Sequence, residues 1–429
     1  MARFVIQGGT PLRGSYRPAG NKNAALPMLA AALLTDEPVT LDNVPAIRDV
    51  DALLELLSAI GVAVSRDGSS VTLRAASLRT TDLPADLCAR VRGSILLAGP
   101  LAARHGSVTL PPPGGDVIGR RRLDTHFEGL SRLGVETRID AATGTYRLTR
   151  TPSFAGASIL LDEASVTATE NLLMAAVLAP GETVLFNAVC EPHVQNLASL
   201  LFAMGASIDG IGTNRMVVRG VPSLRGARAR VAPDAIELGS FLAAAAATGG
   251  RLVVSDLPDE VSLRLLERLF SRLGVAWTRT PRTLRLPARQ KRAVRPDLGG
   301  FIPKIEDGIW PAIPSDLLSV AIVLATQTSG DVLFFEKLFE SRMYFVDRLL
   351  EMGARIVACD PHRVLVSGPV RLRGKHLAGP DIRAGMALVI AALCASGTSV
   401  IDNAEMVDRG YERIDSRLRA LGASIHREP

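Results

Sequence analysis

Cysteine is scarce in this chain. Four occur in 429 residues, Cys88, Cys190, Cys359 and Cys394, and no two stand close enough to form a CxxC pair or a cysteine–histidine cluster. That spacing argues against a disulfide framework and offers no zinc pattern, so small buried apolar side chains are the simplest reading. Aromatic residues make up only 4% of the chain, poor material for stacking on nucleic-acid bases. No apolar run reaches the ~18 residues of a membrane span. The opening "MARFVIQGGTPLRG" lacks the charged-then-apolar pattern of a secretion signal, so a cytoplasmic protein without membrane insertion is expected. There is no P-loop, and "GGDVIG" lacks the spacing of a dinucleotide fingerprint.

Apolar residues, by contrast, are plentiful: 47% of the chain, with a mean hydropathy of +0.23. That is ample for burial and argues against disorder. At 429 residues the chain exceeds one ordinary core, so two domains or a repeat architecture is expected. The formal charge is +6, which favours anionic partners. Lys and Arg are scattered with no polybasic tail, so phosphorylated small molecules are favoured over nucleic acid.

A repeat decides the architecture. A helix end of the form L-x-x-[LIM]-G-[AV] recurs with its glycine at Gly61, Gly134, Gly205, Gly274, Gly353 and Gly422, spaced 69 to 79 residues apart. A second pattern runs in phase with it: an Ala-rich segment, a turn and a strand, as in "AAALLTDEPVTLDNV" and "AAAATGGRLVVSDL". Within a unit the Ala/Leu-rich helix is apolar almost all round and should be buried. A strand follows, then an amphipathic helix stopped by a C-cap glycine, then a hairpin. With the strand that leads in, the unit reads β-α-β-α-β-β.

The sixth copy stops at "GASIHREP" without its last strand, while the N-terminus opens with an orphan strand, "RFVIQGGTPLRG". The first residues are therefore expected to complete the last repeat. The fold class predicted is α/β, in two lobes of three repeats each: residues 21–230, carrying the loop around Asp116, and residues 1–20 plus 231–429. Two chain crossings would make a hinge, and a cleft between lobes is a common ligand site.

The starts of the buried helices carry unusual residues. Asn21 suits an N-cap, but Lys22 then places a cation where the helix dipole is already positive, unfavourable unless an anion lies near. Arg92 and Arg383 repeat the anomaly at equivalent positions. Ser165 is an N-cap whose neighbouring N–H groups could hold a phosphate or simply start the helix. Ser315 and Asp316 open another helix after Pro314. Arg409 stands beside Asp408, where a surface ion pair is the plain reading. The stretch "LPPPGGDVIGRRRLDTHFEGL" sets a lone carboxylate, Asp116, at the tip of a Pro/Gly loop just before Arg120, Arg121 and Arg122.

"GNKNAALP", "LPPPGGDVIGRRRLDTH", "SVTATENLLMAA", "DIRAGMALV" and "DRGYERI", in that order along the whole chain, resemble the motifs of the enolpyruvyl transferase family. The resemblance is greatest to its peptidoglycan-precursor branch and weaker to EPSP synthase. It implies two inside-out α/β lobes. It also implies transfer of the enolpyruvyl group of phosphoenolpyruvate to the 3-hydroxyl of UDP-N-acetylglucosamine, by addition and then elimination of phosphate, with no cofactor or metal. A proton donor, a base and a cationic clamp are needed. By position, Lys22, Arg92, Arg121 and Arg409 match the cations around the two substrates. Arg383 matches a further arginine near phosphoenolpyruvate, and Asn23 a contact to the sugar nucleotide. Asp316 matches the base. Arg121, Arg122, Leu123, Asp124 and Thr125, together with Glu163, Ala164, Ser165, Val166 and Leu338, fall in the nucleotide-binding segments. Asp116 takes the position of the proton donor, cysteine in many members and aspartate in some. An aspartate serves as an acid only if it is protonated when needed. A closed site whose substrate anions offset the arginines favours that state, so Asp116 is expected to be competent mainly in the loaded, closed site. Fosfomycin alkylates the family's cysteine thiolate, and a carboxylate is a weaker nucleophile, so resistance is implied.

Some residues depart from the family pattern. The common loop has Arg-Pro where this chain has Arg121-Arg122, and Arg120 adds charge. Thr167 replaces a frequent glycine, Glu163 sits where some members have lysine, and Ala235 where arginine is common. These changes keep open a paralogue acting on another UDP-sugar or nucleotide. A non-catalytic array of repeats binding nucleic acid through its arginines is a third reading, disfavoured by Asp116 and Asp316 at matching positions.

Overall fold

The computed structural model describes residues 2–116 and 118–429. The repeats build six small sheets. In each, the strand that follows the buried helix lies inside the sheet, with the lead-in strand parallel to it on one side and the hairpin antiparallel on the other. Val39–Asp42, for example, runs parallel to Ala227–Arg230 and antiparallel to Ser70–Arg74, which in turn pairs with Ala63–Asp67. One sheet has three strands, Ser107–Leu110, Tyr146–Arg150 and Val135–Ile139. There a single parallel bridge between Asp82 and Thr109 takes the lead-in place. The β-α-β-α-β-β unit read from the sequence is thus the unit of the fold.

The chain divides into two compact units. One comprises the residues up to Ala19, Asp116–Arg120 and Pro233–Pro429, and the other Gly20–Gly115 and Arg121–Ala232. Each has its own apolar core. Lead-in strands stay with the unit behind them. Arg13–Tyr16 precedes the helix Lys22–Ala31 yet pairs with Arg251–Ser255, and Ala227–Arg230 precedes Ala235–Ala247 yet pairs with Val39–Asp42. The N-terminal strand Arg3–Gln7 lies between Thr398–Asp402 and Ser424–Glu428, antiparallel to both. The first residues therefore complete the sixth repeat, as its truncated sequence led us to expect.

Three buried helices pack in the first unit: Ala235–Ala247, Ser315–Thr326 and Ile382–Cys394. Their Ala-rich surfaces let the helices approach closely, and Ala243 to Ala246 are fully buried. The outer helices are amphipathic, and the six glycines of the repeat that follow them all have positive φ, between 68° and 107°. That left-handed cap is open to glycine without a Cβ penalty.

One buried helix differs from expectation. The segment opening at Arg92 runs as a 3-10 helix, Arg92–Leu97, before continuing as Ala98–His105. Asn171 explains the break. Its Nδ2 donates to the Ile95 carbonyl at 2.8 Å, and its Oδ1 accepts from Gly99 N at 2.8 Å. These are the two groups an unbroken α-helix would have paired with each other. A Cβ on Gly99 would stand 2.4 Å from the Asn171 carbonyl oxygen, so only glycine admits this approach.

Candidate active site

In the first unit, Asp116 and Arg409 meet. Arg409 ends the short helix Ala404–Asp408, and its Nη1 donates to Asp116 Oδ1 at 2.5 Å, with both side chains largely buried. The pairing with Asp408 suggested by adjacency is not formed. Asp408 instead takes both Nη groups of Arg427, at 2.7 and 2.8 Å. Successive helical residues point in different directions, so sequence neighbours at a helix end rarely face one partner.

Asp316 lies in the first turn of Ser315–Thr326 and is gripped by two arginines. Arg383 approaches one oxygen through Nε at 2.9 Å and Nη2 at 2.8 Å, and Arg342 Nη2 reaches the other at 2.6 Å. Arg342 also bonds Asp381 at 3.2 Å, and Asp381 caps Ile382–Cys394 by accepting from Arg383 N and Ala384 N. Burial pushes the Asp381 carboxyl up, with Arg342 opposing. For Arg383, burial alone would lower the guanidinium pKa, but Asp316 and Tyr411 outweigh it and hold it well above the usual arginine value. The cation that the helix dipole should disfavour at Arg383 is thus neutralised by Asp316. Arg383 Nη1 is buried and meets no well-aligned acceptor among the described residues. Its polar neighbour, the Tyr411 hydroxyl, is already bonded to Ser240 at 2.9 Å. Leu338 is 43% exposed.

In the second unit Asn21 caps Lys22–Ala31 by accepting from Ala24 N at 3.1 Å, and Asn23 is half-buried in the first turn. The anion that Lys22 required is protein-borne: Asp49, 3% exposed, pairs with its Nζ at 2.5 Å. Arg92 Nη2 donates to the Arg121 carbonyl at 2.7 Å and to that of Arg122 at 3.4 Å. Burial, reinforced by the Arg121 charge, lowers Arg92 to about 10. A clustered, partly desolvated pair of guanidinium groups favours an added anion. The glycines before Asp116 are required by packing as well as by the turn. A Cβ on Gly114 would fall 1.8 Å from the Ala89 carbonyl oxygen, and Gly115 has φ +120°.

Arg122 bonds Asp124 at 2.8 Å and Asp162 at 2.9 Å, while Thr125, buried at the start of Asp124–Arg132, donates to Asp162 at 2.5 Å. Leu123 precedes that helix, half-buried, and Asp124 is exposed in its first turn. Ser165 caps Val166–Ala176 by accepting from Ala168 N at 3.4 Å. Glu163 accepts from Ser165 N through its carbonyl, and Ala164 and Val166 pack on the core. Among the described residues no group of three or more His, Cys, Asp or Glu is placed to hold a metal, and no helix is long and apolar enough to cross a membrane.

Comparison with known proteins places the chain in a family. The family model described as EPSP synthase (3-phosphoshikimate 1-carboxyvinyltransferase) matches residues 6–418. The chain is 54% identical over 429 residues to the UDP-N-acetylglucosamine 1-carboxyvinyltransferase of Bradyrhizobium diazoefficiens, covering all of this chain and 98% of that one. It is 49% identical over 428 residues to the Treponema denticola protein of the same name, covering 99% of each. The chain belongs to the enolpyruvyl transferase family. Among solved structures, the enolpyruvyl transferase NikO of Streptomyces tendae superposes with a TM-score of 0.89 at 26% identity, covering 100% of this chain and 99% of that one. EPSP synthase from Acinetobacter baumannii shares the fold, with a TM-score of 0.76 at 17% identity over the full length of both chains.

Two polar groups of this enolpyruvyl transferase were not legible in its sequence. Arg342, 7% exposed, is a lone arginine in "FESRMYF" whose role depends on Asp316 and Asp381, 26 and 39 residues away. His126, 1% exposed, has Nδ1 2.9 Å from Asn171 Nδ2 and Nε2 3.0 Å from Thr167 Oγ1. Burial, then the Arg92 charge, lowers its pKa to about 3, so the ring is neutral. The amide donates to Nδ1, so Nε2–H donates to Thr167. A histidine three residues before a Gly on an amphipathic helix was the one available signal.

Proposed function

We propose that this protein transfers the enolpyruvyl group of phosphoenolpyruvate to the 3-hydroxyl of UDP-N-acetylglucosamine and releases phosphate, in the cytoplasm, as the step opening peptidoglycan precursor synthesis. The observation that carries the reading is the 54% identity, over the full length, to a relative named for that activity. Asp116 is the acid: it delivers a proton to C3 of the enol, leaving an oxocarbenium-like C2. Asp316 is the base: it takes the proton of the sugar hydroxyl as that oxygen bonds to C2. Loss of a C3 proton and of phosphate from the tetrahedral adduct gives the enol ether. Lys22, Arg92, Arg121, Arg383 and Arg409 stabilise the phosphate and carboxylate charges. Asn23, Arg122, Leu123, Asp124, Thr125, Glu163, Ala164, Ser165, Val166 and Leu338 contact the sugar nucleotide.

The arginine partners of Asp316 support its role as base. A carboxylate already gripped by Arg342 and Arg383 is ionised, as a base must be, and substrate anions can draw the arginines away. Asp116 at 2.5 Å from Arg409 is likewise released when an incoming anion takes up that guanidinium. Incubation with phosphoenolpyruvate and a panel of UDP-sugars and nucleotides, read by phosphate release, tests the reading. Release with UDP-N-acetylglucosamine supports it. Release only with another acceptor identifies a paralogue with a different substrate.

A further inference from the structure

We propose that Asp307 and Glu336 share a single proton and, acting through Ser315 and Arg342, set the orientation of Asp316. They are positioning residues for the reaction proposed above, and that part of the inference rests on Asp316 being its base. The two acids end adjacent parallel strands. Asp307 follows Lys304–Glu306, Glu336 follows Gly330–Phe335, and Glu306 pairs with Phe335 in the ladder. Asp307 is 1% exposed and Glu336 fully buried.

The donors around them are accounted for. Asp307 Oδ1 accepts from Lys337 N at 2.6 Å. The Glu336 carboxyl accepts from Ser315 Oγ at 3.0 and 2.8 Å, and its Oε1 from Leu338 N at 3.2 Å and Phe339 N at 3.1 Å. Asp307 Oδ2 is buried and meets no donor among the described residues. Glu336 stands across the ladder from it, following Phe335 as Asp307 follows Phe335's partner Glu306. Two buried acids side by side, one with an oxygen that meets no donor, are costly to ionise together, so one proton held between them is favoured. Burial, and after it Asp307, push Glu336 up to about 8, against the opposing Ser315 and Arg342.

The surrounding charges are few. Lys337 turns its Nζ to Glu306, 3.6 Å away, and Lys304 pairs with the same glutamate at 2.7 Å. His362 Nδ1 donates to the Glu336 main-chain carbonyl at 2.8 Å. Arg342 acts on the pair through Ser315: its Nε donates to Ser315 Oγ at 3.3 Å while the Ser315 hydroxyl proton points to Glu336. The same guanidinium holds Asp316 and Asp381 with its two Nη groups. Loss of the shared proton puts a second negative charge behind Ser315. Arg342 is then drawn toward the pair, and its grip on Asp316 loosens.

Infrared titration of the intact protein, without substrates, tests the shared proton. The expected result is a protonated-carboxyl band at neutral pH that disappears with a midpoint near 8 and is missing from both Glu336→Gln and Asp307→Asn. No such band in the native protein, or its persistence in both variants, overturns the inference. The pH profile of kcat/KM tests the positioning. The native enzyme should lose activity on the alkaline side, by about tenfold per pH unit. Both variants, in which an amide N–H takes the place of the shared proton, should lack this limb while keeping neutral-pH turnover within about fivefold. An unchanged limb in both overturns the positioning role. Circular dichroism checks folding, and if one variant fails to fold the other carries the test. If the proposed function is wrong, no turnover appears with UDP-N-acetylglucosamine at any pH while the infrared result stands. The profile is then taken with whichever acceptor the panel identifies.

Discussion

Asp116 and Asp316 are both aspartates, both next to arginine, and cast in opposite roles. What separates them is how they are held. Asp316 is tied on both oxygens by two arginines rooted in the core, whereas Asp116 has a 2.5 Å bond to Arg409 on one oxygen and sits on a Pro/Gly loop. Asp116→Asn removes the transferable proton while keeping the side chain's size, and should lower kcat by about 10² to 10⁴. Asp116→Cys should retain turnover and become covalently labelled by fosfomycin, as read by intact-protein mass. Persistent labelling of the native Asp116 would contradict the account. Glu336 makes a separate stability prediction. Its folded pKa of about 8 lies above the usual glutamate value of 4.5. Between these values the folded state holds a proton that the unfolded chain has lost. The pair's contribution is therefore complete below about 4.5 and declines as pH rises to 8, at no more than ~1.4 kcal/mol per pH unit. Denaturation curves of Glu336→Gln across that window should show a flatter dependence on pH than those of the native protein.

The segment Arg92–His105 shows how one helix depends on another. Asn171 replaces the missing Ile95–Gly99 bond from outside, and its amide also fixes the His126 tautomer that serves Thr167. Asn171→Ala leaves a buried carbonyl and a buried N–H without partners, each costing ~1–3 kcal/mol. Urea denaturation should therefore show a loss of ~2–6 kcal/mol, with the m-value unchanged. A loss below ~1 kcal/mol would mean that the helix reseals its own ladder. His126→Ala should cost less, since only one neutral bond at each end is lost and the Asn171 splint remains.

At the scale of the whole molecule, repetition is what made the sequence readable. Six glycines at regular spacing announced six helix ends, and all six adopt the left-handed conformation that only glycine takes cheaply. The orphan N-terminal strand was legible because the sixth repeat lacked one. Removing residues 1–8 should strip Thr398–Asp402 and Ser424–Glu428 of their shared partner and yield aggregated protein, as judged by size-exclusion chromatography. The site was less legible than the fold. Charged residues at helix starts drew attention to Lys22, Arg92 and Arg383, because a cation there opposes the dipole. Asp49, which pairs with Lys22, and Arg342, which pairs with Asp316 and Asp381, sit at unremarkable positions and are identified only by proximity in three dimensions. The buried acids Asp307 and Glu336 gave no signal either, since nothing in "KIEDG" or "FFEKL" tells a surface carboxylate from a buried one.

The most direct test of the proposed activity is the mass of the nucleotide product after incubation with phosphoenolpyruvate and UDP-N-acetylglucosamine. The expected result is UDP-N-acetylglucosamine enlarged by one enolpyruvyl group, with one phosphate released per nucleotide converted. Recovery of the nucleotide unchanged, with a different acceptor carrying the enolpyruvyl group, would contradict it.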